Sequence, residues 1–372
     1  KVVESCPADG VCNSGKCYAC YPNVKKCDEQ GRAAICRTDG TGWDVTEDCA
    51  AEGFECAGGI CQGGCGSNPK AGTNAGCEFW GVDLDNVSSD DPLSPGADVA
   101  QFAIIASNTS KTNSAKVTVA LPDGTSQVKE VAPVSLAVFE LPSEFGIDGG
   151  GLTGSGKGAF HVTSTQPVTV YQFNPLTNEG VFSNDASVLL PTAAGGTDYY
   201  AMSLADIGFH GFVVVVGIQN GTKVSITSAA TASAGSEGAL QAGVEKSFTV
   251  NTGQVLSVET VTEGGDLTGT HVTSDKPIIV YSGHELGDPG QRCCADHLEQ
   301  QMVPVPAWGK SYVLARSKKR WQEKEYFRIV AAEDGTQVTV NPAVISPPAF
   351  TLNAGQFKEI VVDADFVVMT VA

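Results

Sequence analysis

The stretch TSTQPVTVY at residues 163–171 recurs about 110 residues later as TSDKPIIVY at 273–281. From about residue 80 the sequence alternates apolar and polar residues with a period of two, interrupted by glycine, Asp-Gly and proline, which is the pattern of a many-stranded β domain. The proline stands where a strand begins, a position at which its missing N–H is tolerated. QNGTKVSIT (219–227) and EDGTQVTVN (333–341) repeat at a similar distance and supply the residues that tight hairpin turns require. A looser copy of this plan contains AKVTVALPDGT (115–125).

These repeats predict an all-β fold of three consecutive pseudo-repeats, each about the size of a β-sandwich. A small, loop-dominated and disulfide-rich stalk is predicted to precede them. The predicted divisions are a cysteine-rich stalk at 1–64, a disulfide-closed junction at 65–92, and β units at 93–182, 183–295 and 296–372.

The third unit is predicted to be incomplete. FVVMTVA (366–372) aligns with VLSVETV (255–261) when QAG (241–243) is matched to NAG (353–355), and the second unit then continues where the third stops. A sandwich without its last strand exposes an unpaired edge, which invites aggregation. We therefore expect the protein to continue beyond residue 372, and a strand donated by another molecule is the alternative.

Cysteine spacing predicts disulfide bonds formed in an oxidising compartment, because eleven of the 13 cysteines lie within residues 6–77. CPADGVCNSGKCYAC (6–20) and CAAEGFECAGGICQGGC (49–65) share one pattern, and the first resembles the end of an earlier unit. One free thiol is the alternative explanation of the odd total. Cys65 and Cys77 are predicted to close a loop. Three bridges of unknown pairing are predicted among Cys20, Cys27, Cys36, Cys49, Cys56 and Cys61.

The charge balance excludes some classes of protein. The chain has 42 acidic and 23 basic residues, a formal net charge of −19. A nucleic-acid-binding protein needs a basic surface, so this balance argues against one. The longest apolar run, FVVVV (212–216), has the length of a buried strand and is far shorter than the roughly 18 residues of a membrane helix. No membrane span is predicted.

The segment SGHELGDPGQRCCADHLEQ (282–300) looks most like a chemical site. One hypothesis makes His284, Asp296 and His297 zinc ligands together with Cys293 or Cys294. A second makes one of these cysteines a nucleophile, but no glycine-rich nucleophile turn is present. The third is structural: Cys293 and Cys294 bond to each other or tie this loop to a neighbour, while Asp296, His297 and Glu299 bond to backbone groups and fix the crossing from the second β unit to the third. The structural hypothesis is favoured, because thiolates are rare in an oxidising compartment.

Two further segments carry charge. VDLDNVSSDDP (82–92) places Asp83, Asp85, Asp90 and Asp91 in a pattern that suggests calcium, although it lacks the glycine and terminal glutamate of an EF-hand loop. A solvated loop between domains is the favoured interpretation there.

RSKKRWQEKEYFR (316–328) is the one basic cluster in the chain. It is predicted either to form a charged hairpin tip or to dock an acidic partner, a glycan or the acidic face of another copy. The residues predicted to form that partner patch are Arg316, Lys318, Lys319, Arg320 and Trp321.

Residues 282–313 resemble the N-terminal domain of the IgG Fc-binding protein family, and more closely its secreted or surface cysteine-rich relatives in myxobacteria-like bacteria. The matching words are QFNP (172–175), SNDASVLLP (183–191), SGH (282–284), DHLEQ (296–300), PAWGKSYV (306–313), IVAAEDGTQVTV (329–340) and, for the bacterial proteins, GCEFWGVDLDN (76–86). The resemblance implies an extracellular, all-β binding or structural module without enzymatic activity. GDPG (287–290) stands where related domains have the self-cleaving GDPH, so no self-cleavage is expected.

The sequence therefore favours an extracellular or cell-surface structural or adhesive protein that self-associates in a polymer, filament or matrix. It is predicted to use no cofactor other than calcium. The alternative is a monomeric module that binds a glycan or a protein, and a metal-dependent enzyme is a remote third hypothesis that rests on residues 284–297 alone.

Overall fold

The computed structural model describes most of the chain, and nearly all of its regular structure is β-strand. The described residues are 11–13, 16–49, 55–62, 65, 73–88, 96–154, 157–205, 208–290, 295–318, 324–364 and 366–371. Within them, the only helical elements are five single 3-10 turns, Ala97–Val99, Ser143–Phe145, Thr192–Ala194, Gly235–Glu237 and Val305–Ala307. The predicted all-β fold is confirmed. No helix in the described part of the chain is long and apolar enough to cross a membrane.

The strands fall into an N-terminal cysteine-rich part and three successive units, here called units 1, 2 and 3. The N-terminal part contains β1 Val11–Asn13, β2 Lys16–Tyr18, β3 Lys25–Cys27, β4 Ala33–Cys36, β5 Trp43–Glu47, β6 Glu55–Ala57 and β7 Ile60–Gln62. Unit 1 contains β8 Ala75–Gly81, β9 Phe102–Asn108, β10 Ala115–Ala120, β11 Ser126–Val131, β12 Ser135–Leu141, β13 Gly151–Leu152, β14 Phe160–Asn174 and β15 Asp185–Leu189.

Units 2 and 3 follow in the same way. Unit 2 contains β16 Gly196–Tyr200, β17 Gly211–Gly217, β18 Thr222–Thr227, β19 Ala232–Ser233, β20 Ala239–Leu240, β21 Glu245–Val250, β22 Val255–Thr260, β23 His271–Gly287 and β24 Asp296–Gln301. Unit 3 contains β25 Ser311–Ala315, β26 Glu325–Val330, β27 Thr336–Asn341, β28 Ala349–Leu352, β29 Phe357–Val362 and β30 Phe366–Val371.

One pairing plan recurs in the three units. In unit 1, the first half of the long strand β14 pairs with β8 and β10, its second half pairs with β9 and β15, β9 also pairs with β12, and β10 with β11. In unit 2, β23 pairs in the same order with β16, β18, β17 and β24, while β17 pairs with β22 and β18 with β21. β15 and β24 thus add a strand to the sheets of units 1 and 2, and the short β13 pairs with β22 of unit 2.

Unit 3 repeats part of this plan. β30 pairs with β25 and β27, β27 pairs with β28, and β26 pairs with β29. β30 therefore corresponds to the first half of β14 and β23. Among the described residues, nothing corresponds to the second half of those strands, and β26 is paired on one side.

The two similar stretches, 163–171 and 273–281, lie inside the long strands β14 and β23, at the point where each strand changes its pairing partners. β14 and β23 run through Pro167 and Pro277, and the pairing of β14 with β8 shifts register between Thr163 and Val168. Proline cannot donate to a ladder, so it is tolerated at such an irregularity. The prediction that these prolines begin a strand is wrong, because they lie inside strands of 15 and 17 residues.

The structure also corrects the alignment of unit 3 with unit 2. The turn between β28 and β29 is NAGQ (353–356), and the equivalent turn between β21 and β22 is NTGQ (251–254), not QAG (241–243). Both turns hold a glycine with positive φ, 78° at Gly253 and 73° at Gly355. FVVMTVA therefore corresponds to the beginning of β23 and not to β22. The sequence alignment was wrong because a match of three residues cannot distinguish between two similar turns.

Units 1 and 2 share a hydrophobic core. Phe79 and Phe160 of unit 1 belong to the same buried cluster as Phe212 and Tyr281 of unit 2. The alternate side chains of β17, which include Val213, face a second core on the other side of the sheet. Both faces of β17 are covered, which explains the uninterrupted run FVVVV. Unit 3 has a core of its own around Val338 and Ile360.

Disulfides hold the N-terminal part, whose only extended pairing among the described residues is the three-stranded sheet β3-β4-β5 and short hairpins. The six cysteines of the predicted unit pair with one another, as Cys20–Cys36, Cys27–Cys56 and Cys49–Cys61. Cys65 bonds to Cys77 at the entry to unit 1. Such bridges replace a large core in a segment too short to form one.

Candidate functional site

Residues 82–88 lead from β8 to the contact between units 1 and 2 without regular secondary structure. Val82 and Leu84 belong to the shared core, and they alternate with Asp83 and Asp85. The carboxylates are nevertheless buried, with Asp83 4% and Asp85 8% exposed. The interpretation of this segment as a solvated loop is therefore wrong for residues 82–87.

Asp85 lies in a buried acidic cluster with Glu259 of β22 and Glu285 of β23. One carboxylate oxygen of each residue lies within 4.8 Å of those of the other two. Asp85 Oδ2 accepts a hydrogen bond from the backbone N–H of Gly149 at 2.7 Å, and Glu259 Oε1 accepts one from the hydroxyl of Ser257 at 2.9 Å. We call Asp85, Glu259 and Glu285 the acidic cluster.

Burial dominates the electrostatics of this cluster. Burial, together with the negative charges of the neighbouring Asp85 and Glu285 carboxylates, raises the pKa of Glu259 to about 8. Burial also raises the pKa of Asp85 to about 6, although the hydrogen bond from Gly149 opposes this shift. The pKa of Asp83 lies well above its ordinary value, again because of burial first. These carboxylates resist ionisation unless a positive charge accompanies them.

A second buried polar group joins β15 to β24, beside the acidic cluster. Glu299 Oε2 accepts a hydrogen bond from Gln172 Nε2 at 3.0 Å, and its Oε1 accepts one from Ser187 Oγ at 2.8 Å. The backbone N–H of Glu299 donates to Asp185 Oδ2 at 3.0 Å. Gln172 Oε1 in turn accepts a hydrogen bond from the N–H of Val82 at 3.1 Å. Each of these bonds except the last crosses from unit 1 to unit 2.

The same connection continues through Asn86 and His297. The N–H of His297 donates to Ser183 Oγ at 2.9 Å, and that hydroxyl donates to Asn86 Oδ1 at 3.2 Å. Asn86 Nδ2 donates to the carbonyl of Asn174 at 3.1 Å. QFNP, SNDAS and DHLEQ thus meet in one buried network, where their polar residues fasten unit 1 to unit 2. The sequence expected Asp296, His297 and Glu299 to fix the crossing from unit 2 to unit 3 instead.

Among the described residues, the predicted zinc ligands His284, Asp296 and His297 do not form a group placed to share a metal ion. Within the described residues, the acidic cluster is the single group of three or more side chains placed to share a metal ion, and it contains none of His284, Asp296 and His297. His297 Nδ1 lies 3.2 Å from the carbonyl of Glu285, and Asp296 Oδ1 accepts a hydrogen bond from the N–H of Asn184 at 2.9 Å. Cys293 and Cys294 lie outside the described residues.

The predicted calcium ligands are divided in the same way. Asp83 and Asp85 lie together at the contact between units 1 and 2, whereas Asp90 and Asp91 lie outside the described residues. The carboxylates that approach Asp85 come from β22 and β23, more than 170 positions further along the chain.

The basic cluster does not form a hairpin. β25 pairs with β30 and β26 with β29, so the segment between β25 and β26 crosses from one sheet to another. Arg316 Nη2 lies 2.7 Å from Asp363 Oδ1, and Lys318 is exposed. Lys319, Arg320 and Trp321 lie outside the described residues, so the predicted partner patch stays a prediction.

Comparison with known proteins gives the family. The model of the family described as IgGFc binding protein matches residues 185–371, from β15 to β30. The chain belongs to the IgGFc-binding protein family. A human IgGFc-binding protein is 28% identical over 160 residues, which are 42% of this chain and 3% of the human protein. The chain thus spans a small fraction of that relative. The predicted link to myxobacteria-like proteins stays a prediction.

Two solved structures were also compared. One, of a 1.5-MDa bacterial ice-binding adhesin, has 12% identity and a TM-score of 0.14 over 74% of this chain and 81% of that chain. The other, a Ca²⁺-stabilized adhesin of an Antarctic bacterium, has 11% identity and a TM-score of 0.15 over 93% of this chain and 83% of that chain. TM-scores this low support no shared fold.

The region that matches the IgGFc-binding family contains only part of the acidic cluster. Glu259 and Glu285 lie inside the matched region, and Asp85 lies before it. Sequence reasoning missed both glutamates. A signal was present in VLSVET, a strand whose apolar residues are buried on both faces and which nevertheless contains a charged residue.

Proposed function

We propose that this chain is an extracellular structural or adhesive protein that acts through protein surfaces and assembles with further copies into a polymer, filament or matrix. Two findings support the general part. The IgGFc-binding family is a family of binding proteins by description, and the disulfides fit a secreted or surface location. The assembly rests on one observation, the open edge of unit 3.

In units 1 and 2, the strands β9 and β17 are paired on both sides. Their counterpart β26 is paired with β29 alone among the described residues. Its other edge presents backbone N–H and C=O groups to a further strand. Unpaired edges of this kind are the usual receptors for strands donated by another molecule.

An apolar groove of about 600 Å³ adjoins this edge. Its lining includes Val303, Trp308, Phe327, Ile329 and Met369. In β-strand addition, main-chain hydrogen bonds provide affinity while pockets for alternate side chains provide specificity. An edge strand next to an apolar groove offers both, and a strand from a second copy is the proposed occupant.

The first test measures association of the purified chain and two variants. Sedimentation velocity over a concentration series is expected to show higher-order species for the parent chain. Val303→Asp places a charge at the groove and is expected to weaken association by about tenfold or more. Val261→Asp changes an equally exposed valine in unit 2, 49% against 44% exposed, and is expected to have no effect.

A chain that stays monomeric at every concentration would contradict assembly and favour the monomeric binding module for a protein or glycan. Equal effects of the two substitutions would contradict the groove as the contact. If a longer form of the chain fills the edge with its own following residues, that form would be monomeric, and the assembly proposal would be wrong.

A further inference from the structure

We propose that the acidic cluster of Asp85, Glu259 and Glu285 binds one Ca²⁺ ion that fastens unit 1 to unit 2. The inference concerns the inside of the molecule and does not depend on assembly, so it goes beyond the proposed function. It rests on three observations: the convergence of three carboxylates, the charge around them, and a fourth carboxylate that lacks a hydrogen-bonding partner.

The three carboxylates converge from separate parts of the fold. Asp85 stands on the extended segment after β8, Glu259 on β22 and Glu285 on β23, and each is at most 8% exposed. Mutual distances of 4.8 Å or less allow one ion to contact an oxygen of each. All three donors are carboxylate oxygens, which are the ligands of hard cations such as Ca²⁺ rather than of zinc.

The surroundings add negative charge. The carboxylates of Asp98 and Asp148 act electrostatically on Asp85, and the partners of opposite sign are histidines, His297 for Asp85 and His210 for Glu259. Three buried carboxylates so close together are stable only if they retain protons or share a cation. At the pH of extracellular fluids a divalent cation satisfies all three at once.

Asp83 provides the independent observation. Its side chain is 4% exposed, and its Oδ2 atom has no hydrogen-bond partner. This oxygen faces the turn at residues 146–149, because a Cβ atom added to Gly146 would lie 2.9 Å from it. The same turn donates its Gly149 N–H to Asp85 Oδ2, and a Cβ atom on Gly149 would lie 4.0 Å from Glu259 Oε2.

Asp83 thus places an unsatisfied oxygen against the turn whose Gly149 N–H bonds to Asp85. A buried carboxylate oxygen without a partner is costly, and structures rarely keep one unless an ion or water completes it. Ca²⁺ accepts six to eight oxygen ligands in irregular geometry, so it can use further oxygens beyond the three of the cluster. Mg²⁺ requires a regular octahedron and retains water, which suits a dry site of this kind less well.

The test uses the whole chain freed of metal with a chelator. Isothermal titration with CaCl₂ is expected to show one ion per chain with a dissociation constant of about 10⁻³ M or tighter, the range of extracellular calcium modules. Thermal unfolding is expected to shift upward on addition of CaCl₂ and to return when EDTA is added, since the ion binds the folded state.

Glu259→Gln and Glu285→Gln are expected to weaken calcium binding by about tenfold or more, because each removes a charged ligand. Glu263→Gln, an exposed residue close to Glu259 in the chain, is the matched control and is expected to bind as the parent does. Near-ultraviolet circular dichroism in EDTA checks that the variants fold, and both isosteric substitutions are expected to keep the parent spectrum.

Absence of calcium binding, with an unfolding temperature equal in CaCl₂ and EDTA, would show that protons alone satisfy the cluster and would overturn the proposal. Tighter binding of Mg²⁺ than of Ca²⁺ would overturn the choice of ion. Calcium binding that survives both glutamine substitutions would place the ion elsewhere.

Discussion

At the scale of single residues, burial determines the protonation of Glu259. This glutamate is the next-to-last residue of the strand β22, whose other side chains are apolar or small, and the hydroxyl of Ser257 in the same strand donates a hydrogen bond to it. Burial comes first among the causes that raise its pKa to about 8. In the unfolded chain the same carboxyl titrates near 4.5, so folding favours its protonated form.

This difference predicts a pH dependence in chelator. The raised pKa means that the folded state binds more protons than the unfolded state between about pH 4.5 and 8. The stabilisation is full below pH 4.5 and is lost as the pH rises toward 8. Chemical denaturation at pH 5.5 and 7.5 is expected to show a loss that is larger by roughly 2 kcal/mol in the parent than in Glu259→Gln. Glu263→Gln is expected to behave as the parent, and equal slopes in all three proteins would contradict the buried ionisation.

At the scale of elements, β-strand content followed directly from the alternating pattern that begins at about residue 80, and the all-β class was predictable. The pairing of the long strands was not predictable. Pro167 and Pro277 lie where these strands change their pairing partner, but in the sequence a proline at such a position indicates the start of a strand. The partners of Asp85 could not be predicted either, since they depend on how β22 and β23 pack against unit 1.

Gly283 tests the contact between β23 and β24. It pairs with Phe212 on one side and with Glu299 on the other. A Cβ atom there would lie 1.7 Å from the carbonyl oxygen of Leu298, so Gly283→Ala must push β24 away. We expect urea denaturation to show a loss of roughly 2–4 kcal/mol in the free energy of unfolding.

The control for this substitution is Gly154→Ala. No atom lies within 4 Å of a Cβ at that position, and its φ is not in the left-handed region. The variant is expected to unfold within about 0.5 kcal/mol of the parent. Similar losses for the two variants would show that β24 moves without cost and that the close approach at Gly283 is unimportant.

At the scale of the molecule, units 1 and 2 form one block and unit 3 another. The first two share a core that contains Phe79 and Phe212, and they are joined further by the bonds around Glu299. Unit 3 packs its own core. Arg328 of β26 reaches across to unit 2, where Nη1 lies 2.7 Å from Asp266 Oδ2 and 2.8 Å from the carbonyl of Ser203.

This division predicts two unfolding transitions, with unit 3 separable from the block of units 1 and 2. Arg328→Ala removes the bonds to Asp266 and Ser203 and the ion pair with Glu359, whose distance is 3.0 Å. Because Arg328 is largely buried, its loss leaves the largely buried Asp266 carboxylate without its cation, and unit 3 is expected to become less stable by roughly 2–4 kcal/mol. Arg37→Ala breaks an ion pair with Asp44 in the N-terminal part, where the two side chains are 50% and 54% exposed, so an effect below about 1 kcal/mol is expected. Hydrogen exchange followed by mass spectrometry is expected to show faster exchange at residues 325–371 in Arg328→Ala, with residues 75–189 unchanged. Faster exchange throughout the chain would instead mean that all three units unfold together.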